Sequence, residues 1–177
     1  MINKKVFIFG IIVIIIISLF MAYQLDYLPF TPEKERKSKE GSNPGDKAPD
    51  FTLQTLYGKE LSLSNLQGKK VFLNFWATWC GPCRSEMPDI LKLYQNHDNI
   101  EVLAVNVKDN KGQILNFIMD NSYNFPVVLD TNGAVSTQYT VRGIPTTYIL
   151  DENGIIMAKH TGVLDYNKMK ELLNIKD

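Results

Sequence analysis

The chain has 177 residues, which is enough for one folded domain with a buried core and additional segments. Hydrophobic residues make up 45% and charged residues 21%, the composition of an ordinary globular protein. The chain has 19 basic and 19 acidic residues, and the part from Asp46 onward has 13 bases and 15 acids. A basic surface for binding nucleic acid is therefore not expected.

The first 25 residues predict a membrane anchor. Residues 6–25 carry no charge, and a helix of this length, at ~1.5 Å per residue, spans the hydrocarbon core of a bilayer. A cleaved signal peptide is the alternative, but its apolar region is shorter and ends in a small-x-small site, which Phe20-Met21-Ala22 does not provide. Lys4 and Lys5 precede the run, so the positive-inside rule places the amino terminus in the cytoplasm and the remaining chain on the extracytoplasmic side.

Residues 26–45 predict a flexible linker. This segment is rich in Pro, Gly and Ser, and its four acids balance its four bases. It has little apolar surface to bury, so it is not expected to fold by itself. We expect the folded domain to span 46–177.

Short apolar runs separated by turn signals predict the strands of this domain. The last two runs flank Asp151-Glu152-Asn153-Gly154, which favours an antiparallel hairpin. The predicted strands are 51–53, 60–62, 71–76, 102–107, 127–129, 146–150 and 155–160.

Helices are expected between the strands. Met87, Ile90, Leu91 and Tyr94 recur at the spacing of one helical face. Strands that alternate with helices indicate an α/β fold in which helices cover both faces of a central sheet. The predicted helices are 80–97, 112–121 and 165–173.

Both cysteines of the chain lie within four positions, at the predicted junction of a buried strand and a helix. The free N–H groups and the dipole of the helix stabilise a thiolate at Cys80. Cys83 lies one turn later on the same side, and Pro82 fits the first helical turn. An exposed, acidic thiol that attacks and a covered thiol that resolves the mixed disulfide are the two parts that thiol-disulfide exchange requires.

Three other interpretations of the cysteines stay open from the residues alone. A structural disulfide would close a loop with two intervening residues and would constrain the unfolded chain little. A zinc site usually needs four ligands, and the chain has two Cys and two His without finger spacing, so no metal site is predicted. In the third interpretation the two cysteines are buried and unconnected, and their position next to the aromatic residues is a coincidence.

The stretch FWATWCGPC, residues 75–83, resembles the active site of the thioredoxin superfamily. More narrowly, residues 46–177 resemble the membrane-anchored TlpA/ResA-like thiol-disulfide oxidoreductases. The shared motifs are APDF at 48–51, GKK at 68–70, FPVVLD at 125–130 and a strand-helix insert between Val102 and Asn121. This resemblance implies a thioredoxin-like fold with a central mixed sheet flanked by helices, an N-terminal β-hairpin and that insert.

The resemblance also implies the roles of the site residues. Cys80 is the expected nucleophile and Cys83 the resolving thiol, and their disulfide is the redox centre without any other cofactor. Ile144-Pro145-Thr146 matches the loop that faces the disulfide, whose proline is cis in this family; the alternative is that Pro145 starts an edge strand. The predicted substrate-binding residues are Trp79, Gly81, Pro82, Ile144 and Pro145.

Glu86 is the predicted proton acceptor. Asn74 stands where cytoplasmic thioredoxins bury an Asp for this purpose, and an amide cannot titrate. Glu86 follows Cys83 by three residues, on the same helical face, and matches a Glu of the ResA-like motif. Partial burial would raise its pKa and let it take the Cys83 proton. The alternative is a solvated glutamate on the helix surface.

The Gly81-Pro82 dipeptide is that of reducing thioredoxins and favours a reductant. The resemblance implies an extracytoplasmic enzyme that reduces the Cys-x-x-Cys-His disulfide of apocytochrome c before haem attachment. A CcdA-like membrane protein is the expected electron donor.

Other exported targets, such as a spore or cell-wall protein, are the first alternative. A peroxiredoxin-type peroxidase would need Pro and Thr or Ser where Leu73 and Ala77 stand. A Sco-like copper chaperone would need a Cys-x-x-x-Cys spacing and a positioned His, and the spacing here is one residue short.

Overall fold

The computed structural model describes residues 4–26 and 38–175, with the side chains of 9–23 in the first range. The chain divides into two units, 1–37 and 38–177. In the first, a helix α1 covers Lys4–Asp26. Within the described residues no helix is long and apolar enough to cross a membrane. The predicted span, 6–25, is longer than the stretch with described side chains, and it stays a prediction.

The second unit begins at Ser38, eight residues before the predicted start at Asp46. Of the predicted linker, residues 27–37 lie outside the described residues. The last part of the linker is bound to the domain by backbone hydrogen bonds, from Gly41 N–H to Lys47 O at 3.0 Å and from Gly45 N–H to Ile156 O at 2.8 Å. Composition predicted a linker here because the segment has little apolar surface, but polar backbone groups hold it, one nearby at Lys47 and one far along the chain at Ile156.

All seven predicted strands lie within the described part of this unit, each within two residues of its expected bounds. Two form the hairpin β1–β2, in antiparallel register. The other five form one sheet in the order β5-β4-β3-β6-β7. The strands are β1 Thr52–Gln54, β2 Glu60–Ser62, β3 Lys70–Trp76, β4 Ile100–Val107, β5 Val127–Asp130, β6 Thr146–Leu150 and β7 Ile156–Thr161.

The sheet is mixed, as predicted. Strand β3 is parallel to β4, and β4 to β5. Strand β6 is antiparallel to both β3 and β7. The carboxyl ends of β3 and β4 therefore meet the beginning of β6 at one edge of the sheet, which we call the site edge. The loops that follow Trp76 and Val107 and precede Thr146 all lie there.

The three predicted helices are present with their bounds shifted by one residue. Two short elements were not predicted, a 3₁₀ turn at Leu63–Leu66 and a five-residue helix. They are too short to show a hydrophobic period, and the second is capped by Asp130, which accepts hydrogen bonds from Val135 N–H and Ser136 N–H. The helices of the domain are α2 Gly81–Asn96, α3 Lys111–Asp120, α4 Ala134–Gln138 and α5 Tyr166–Leu172.

Alternate residues of β3 belong to two separate hydrophobic cores, one on each face of the sheet. Phe72 and Trp76 pack with residues of α2 and α3. Leu73 and Phe75 pack on the other face, around Tyr139. A continuous apolar strand is what burial on both faces requires. The site edge is thus held by a strand that has no solvent-exposed face.

Candidate active site

Cys80 and Cys83 are joined by a disulfide at the start of α2. Cys80 is the N-cap residue of this helix, and the Cys83 N–H donates a hydrogen bond to its Sγ at 3.1 Å. A backbone donor aimed at this sulfur also stabilises the thiolate that forms when the disulfide is reduced. The junction of strand and helix predicted from the sequence is therefore the place where the sulfurs lie.

The two cysteine residues differ less in solvent exposure than expected. Cys83 is fully buried, as a resolving thiol should be, but Cys80 is only 6% exposed. The prediction of an exposed attacking thiol is wrong for this oxidised state. The Ile144 carbonyl oxygen, from a distant part of the chain, lies 3.7 Å from Cys80 Sγ.

The loop that faces the disulfide has the predicted form. The Ile144–Pro145 peptide bond is cis. Pro145 is buried and Ile144 is half-buried beside the sulfur. Strand β6, which starts at Thr146, lies between β3 and β7. The alternative, that Pro145 merely starts an edge strand, is wrong.

The two tryptophans of the motif have different environments. Trp79 is 70% exposed and stands next to the exposed Gly81 and Pro82 at the head of α2. Trp76 is fully buried, with its ring 5.4 Å from that of Phe117. Only Trp79 is placed to contact another protein, and Trp76 supports the strand from which the loop leaves.

Glu86 is completely buried, so the alternative of a solvated surface glutamate is wrong. Its two carboxyl oxygens accept hydrogen bonds from different elements. The Asn74 amide on β3 donates Nδ2–H to Oε1 at 2.8 Å. The Leu164 N–H, after β7, donates to Oε2 at 3.0 Å. Asn74 Nδ2 also donates to Thr147 Oγ1, 3.0 Å away on β6. We call Asn74, Glu86 and Thr147 the buried polar cluster.

Burial raises the pKa of Glu86 to about 7, although the hydrogen bonds from Leu164 N–H and Asn74 act to lower it. A carboxyl group with this pKa exchanges its proton near neutral pH, which is the requirement for a general base or acid. Cys83 lies three residues earlier on the same helix, so the two side chains share a helical face. The cluster therefore provides a titratable group one turn beneath the resolving sulfur.

The sequence reasoning missed Asp109. This residue follows β4, is only 8% exposed, and accepts a hydrogen bond from the Thr78 N–H at 2.6 Å. It also accepts one from Asn106 Nδ2 at 2.9 Å. Asp109 thus fixes the backbone of the loop that carries Trp79. No local signal marks this contact, because the two partners are 31 residues apart.

Within the residues that the structure describes, no three His, Cys, Asp or Glu side chains lie close enough together to hold a metal ion. The groups assembled at the site edge are a disulfide, the backbone donors and acceptor around it, an exposed indole, and a buried carboxyl group. A reversible disulfide that accepts and returns two electrons is the chemistry these groups can perform.

Comparison with known proteins agrees with this geometry. Residues 44–159 match the model of the AhpC/TSA family. The thioredoxin-like protein YneN of Bacillus subtilis is 42% identical over 143 residues, covering 78% of this chain and 84% of YneN. The thiol-disulfide oxidoreductase ResA of the same species is 39% identical over 139 residues, covering 77% of this chain and 78% of ResA.

Solved structures show the same fold. A protein assigned as the thiol:disulfide interchange protein DsbE of Chlorobium tepidum has a TM-score of 0.70 at 33% identity, over 75% of this chain and 96% of its own. StoA of Bacillus subtilis has a TM-score of 0.63 at 32% identity, over 70% of this chain and 96% of its own. The chain therefore belongs to the AhpC/TSA family and is a thiol-disulfide oxidoreductase of the ResA/DsbE type with a thioredoxin-like fold.

Proposed function

We propose that this protein is a membrane-anchored reductant on the extracytoplasmic side, and that it reduces the Cys-x-x-Cys-His disulfide of apocytochrome c before haem attachment. The observation that carries the chemistry is the position of the Cys80–Cys83 disulfide above the buried carboxyl group of Glu86. The uncharged run at 6–25 supports the anchor, and the resemblance to ResA-like proteins supports the substrate.

The first step is attack by the reduced enzyme. The Cys80 thiolate, stabilised by the N–H groups of the first turn of α2, attacks one sulfur of the substrate disulfide. The S–S bond of the substrate breaks, its other sulfur leaves as a thiolate and takes a proton from water. A mixed disulfide then joins Cys80 to the substrate. Trp79 and the Ile144 backbone, which flank the sulfur, are placed to hold the substrate chain.

The second step releases the substrate. The Cys83 thiol gives its proton to the Glu86 carboxylate, and its thiolate attacks Cys80 Sγ. The remaining substrate sulfur leaves as a thiolate and takes a proton from water, and the Cys80–Cys83 disulfide forms, which is the state in this structure. Two electrons have passed to the substrate, so a membrane dithiol of the CcdA type must return them before the next cycle.

Asn74 suits both protonation states of Glu86. When Glu86 is ionised, the Asn74 amide donates to it, as observed. When Glu86 is neutral, it must itself donate a hydrogen bond. Asn74 Oδ1 is buried and has no partner among the described residues, and a half-turn of the amide would present it as the acceptor. The Thr147 hydroxyl can then donate instead of accept. An Asp at position 74 could not donate to an ionised Glu86.

Trapping of substrates tests the proposal. Full-length protein with Cys83→Ala, expressed in its own host, should accumulate mixed disulfides on Cys80, and mass spectrometry should identify apocytochrome c among them. A double variant, Cys80→Ala with Cys83→Ala, is the control for non-specific capture. If only other exported proteins are trapped, the apocytochrome c assignment is wrong while the exchange chemistry stands.

Protease treatment of intact cells stripped of their wall tests the location. The folded domain should be digested from outside, whereas a cytoplasmic marker protein stays intact. Full protection of the domain, with digestion only after lysis, would contradict an extracytoplasmic position.

A further inference from the structure

Four exposed basic residues lie in segments at the same edge of the sheet as the redox disulfide. We call them the basic rim: Arg84, Lys108, Lys111 and Arg142. They come from three different segments of the chain, and the fold brings these segments to the site edge.

Arg84 belongs to the helix that carries the disulfide. Its backbone N–H donates to the Cys80 carbonyl oxygen at 3.0 Å. Its guanidinium carbon lies 5.7 Å from the centre of the Phe117 ring, on α3. The charge of Arg84 is therefore held on the α3 side of the disulfide.

The other three bases are placed at the site edge by the contacts of their chain neighbours, and the Lys108 side chain itself lies against Gly133, after β5. Lys108 immediately precedes Asp109, whose carboxylate holds the Thr78 N–H at 2.6 Å. Lys111 starts α3, two residues after Asp109. Arg142 precedes Ile144 by two residues, and the Ile144 carbonyl oxygen is 3.7 Å from Cys80 Sγ.

Acidic residues do not neutralise this rim. In the segments 77–84, 108–111 and 142–145 the only acid is Asp109, which is 8% exposed. At the opposite edge of the sheet lie Asp98 before β4, Glu101 at the start of β4, and Asp151 and Glu152 in the β6–β7 turn. Two acids lie at the site edge outside these three segments: Asp130 is buried at the end of β5, and Asp165, after β7, caps α5. The ion pairs found in the described residues are Lys69–Glu101 and Lys168–Glu171, and neither involves the rim.

The three segments of the rim therefore carry four exposed positive charges and no exposed acid, on a domain that has more acids than bases. Charges within about 8–10 Å of each other are only partly screened at physiological salt. A field of one sign around a reactive centre raises the association rate of an oppositely charged partner about 10- to 1,000-fold at low salt. Affinity for like-charged partners falls for the same reason.

We propose that the basic rim selects partners whose disulfide lies in an acidic segment, with the exposed Trp79 providing the apolar contact at its centre. This inference rests on the proposed exchange function and narrows its substrate class. The substrate is an oxidised, exported polypeptide with Asp or Glu residues flanking its cysteine pair.

Three synthetic disulfide peptides test the inference. They share one Cys-x-x-Cys loop and carry four Glu, four Lys or four Ser residues in the flanks. The full-length protein, in detergent micelles, is reduced and mixed with each peptide, and the single-turnover rate constant is followed by tryptophan fluorescence. The Glu peptide should react at least about tenfold faster than the Lys peptide at low salt. High salt should bring the two rates together.

Charge variants identify the residues responsible. The combined variant Lys108→Gln, Lys111→Gln, Arg142→Gln should lose most of the preference for the Glu peptide. A matched variant, Lys39→Gln, Lys47→Gln, Lys59→Gln, removes the same charge from exposed positions remote from the site and should keep the preference.

Two outcomes would overturn the inference. Equal rates for the Glu and Lys peptides, at any salt, would show that the rim does not select, while exchange itself stands. An equal loss of preference in the matched variant would assign the effect to net charge rather than to the rim. If the wild-type protein reduced none of the three peptides, the proposed function would fail as well.

Discussion

Two regions of this protein meet at α2 and perform different parts of one reaction. The exchange surface, formed by Trp79, Cys80 and the Ile144–Pro145 loop, is the surface that we propose binds a partner protein. The buried polar cluster, Asn74, Glu86 and Thr147, lies beneath it and faces the core. The exchange surface carries the disulfide that exchanges electrons, and the buried polar cluster is placed to accept a proton. The comparison shows that the Glu86 carboxyl group has a pKa near neutral pH because it is removed from water. The exchange reaction at the sulfurs, in contrast, requires that a partner can reach them.

The largest effect is expected at the exchange surface. Cys80→Ser removes the attacking sulfur, so single-turnover reduction of a model disulfide should fall at least about 1,000-fold. The Cys83→Ser variant should still attack the substrate through Cys80, but it should stall as a mixed disulfide, which is visible as a mass shift on non-reducing gels. Reduction by Cys80→Ser at the wild-type rate would show that the surface has been assigned to the wrong residues.

The two tryptophans separate function from stability. Trp76→Ala empties a fully buried site and should lower the free energy of unfolding by about 3–5 kcal/mol in urea denaturation. Trp79→Ala, at an exposed position, should leave unfolding within about 0.5 kcal/mol of wild type. The kcat/KM for a disulfide-containing protein substrate should nevertheless fall. If both variants lost the same stability, the distinction between surface and core would be wrong.

Glu86→Gln tests the proton step. Since ionised Glu86 is the proposed base, release of the substrate from the mixed disulfide should accelerate as the pH rises through about 7 in the wild-type protein. The Gln variant should lack this inflection and should release the substrate about 100-fold more slowly above it. Rapid-mixing experiments from pH 5 to 9 measure the profile. A profile unchanged by the substitution would remove Glu86 from the mechanism.

The same substitution has a consequence for stability in the oxidised protein. Burial raises the pKa of Glu86 from 4.5 to about 7, so the neutral group stabilises the fold fully below about pH 4.5, and this contribution is lost as the pH rises through about 7. Relative to Glu86→Gln, which cannot titrate, wild type should therefore lose about 2–3 kcal/mol between pH 4 and pH 8. Urea unfolding of both proteins measures the difference. A constant difference would mean that the carboxyl group titrates normally.

Thr147→Val is expected to have the smallest effect. It keeps the shape of the side chain but removes the acceptor for Asn74 Nδ2, 3.0 Å away. One lost buried hydrogen bond should cost about 1–2 kcal/mol of unfolding free energy. The Glu86 inflection should remain, because the bonds to the carboxyl oxygens are intact. Thr147→Ser, which retains the hydroxyl, is the matched control and should keep the pH profile and most of the stability.

Elements with a clear local sequence pattern were predictable. Strand β3 is a single apolar run, α2 has a regular hydrophobic period, and the motif around Cys80 carries its chemistry within a few residues. The helix α4 was missed because five residues are too few to show a hydrophobic period. In addition, Asp130, whose carboxylate accepts hydrogen bonds from its first turn, belongs to the preceding strand. The second unit starts eight residues before the predicted domain start, because backbone hydrogen bonds to Lys47 and to the distant Ile156 hold residues 39–45 and composition does not reveal them.

The sequence by itself determined the fold class and the redox pair, because strand periodicity, helix periodicity and the Cys-x-x-Cys spacing are all local patterns. Its choice of Glu86 as the base came from the position one turn after Cys83 and from the resemblance to the ResA-like motif, and it stays a prediction. Tertiary structure alone decided that the Ile144 carbonyl lies beside Cys80 Sγ. It also decided that Glu86 is hydrogen-bonded to Asn74 of β3 and to Leu164 after β7, and that Asp109 holds the Thr78 backbone. Each of these contacts joins groups distant along the chain, and a buried group's solvation depends on neighbours that only folding assembles. The basic rim has the same origin, because its four residues are scattered in sequence and reach the same edge of the sheet only in the fold.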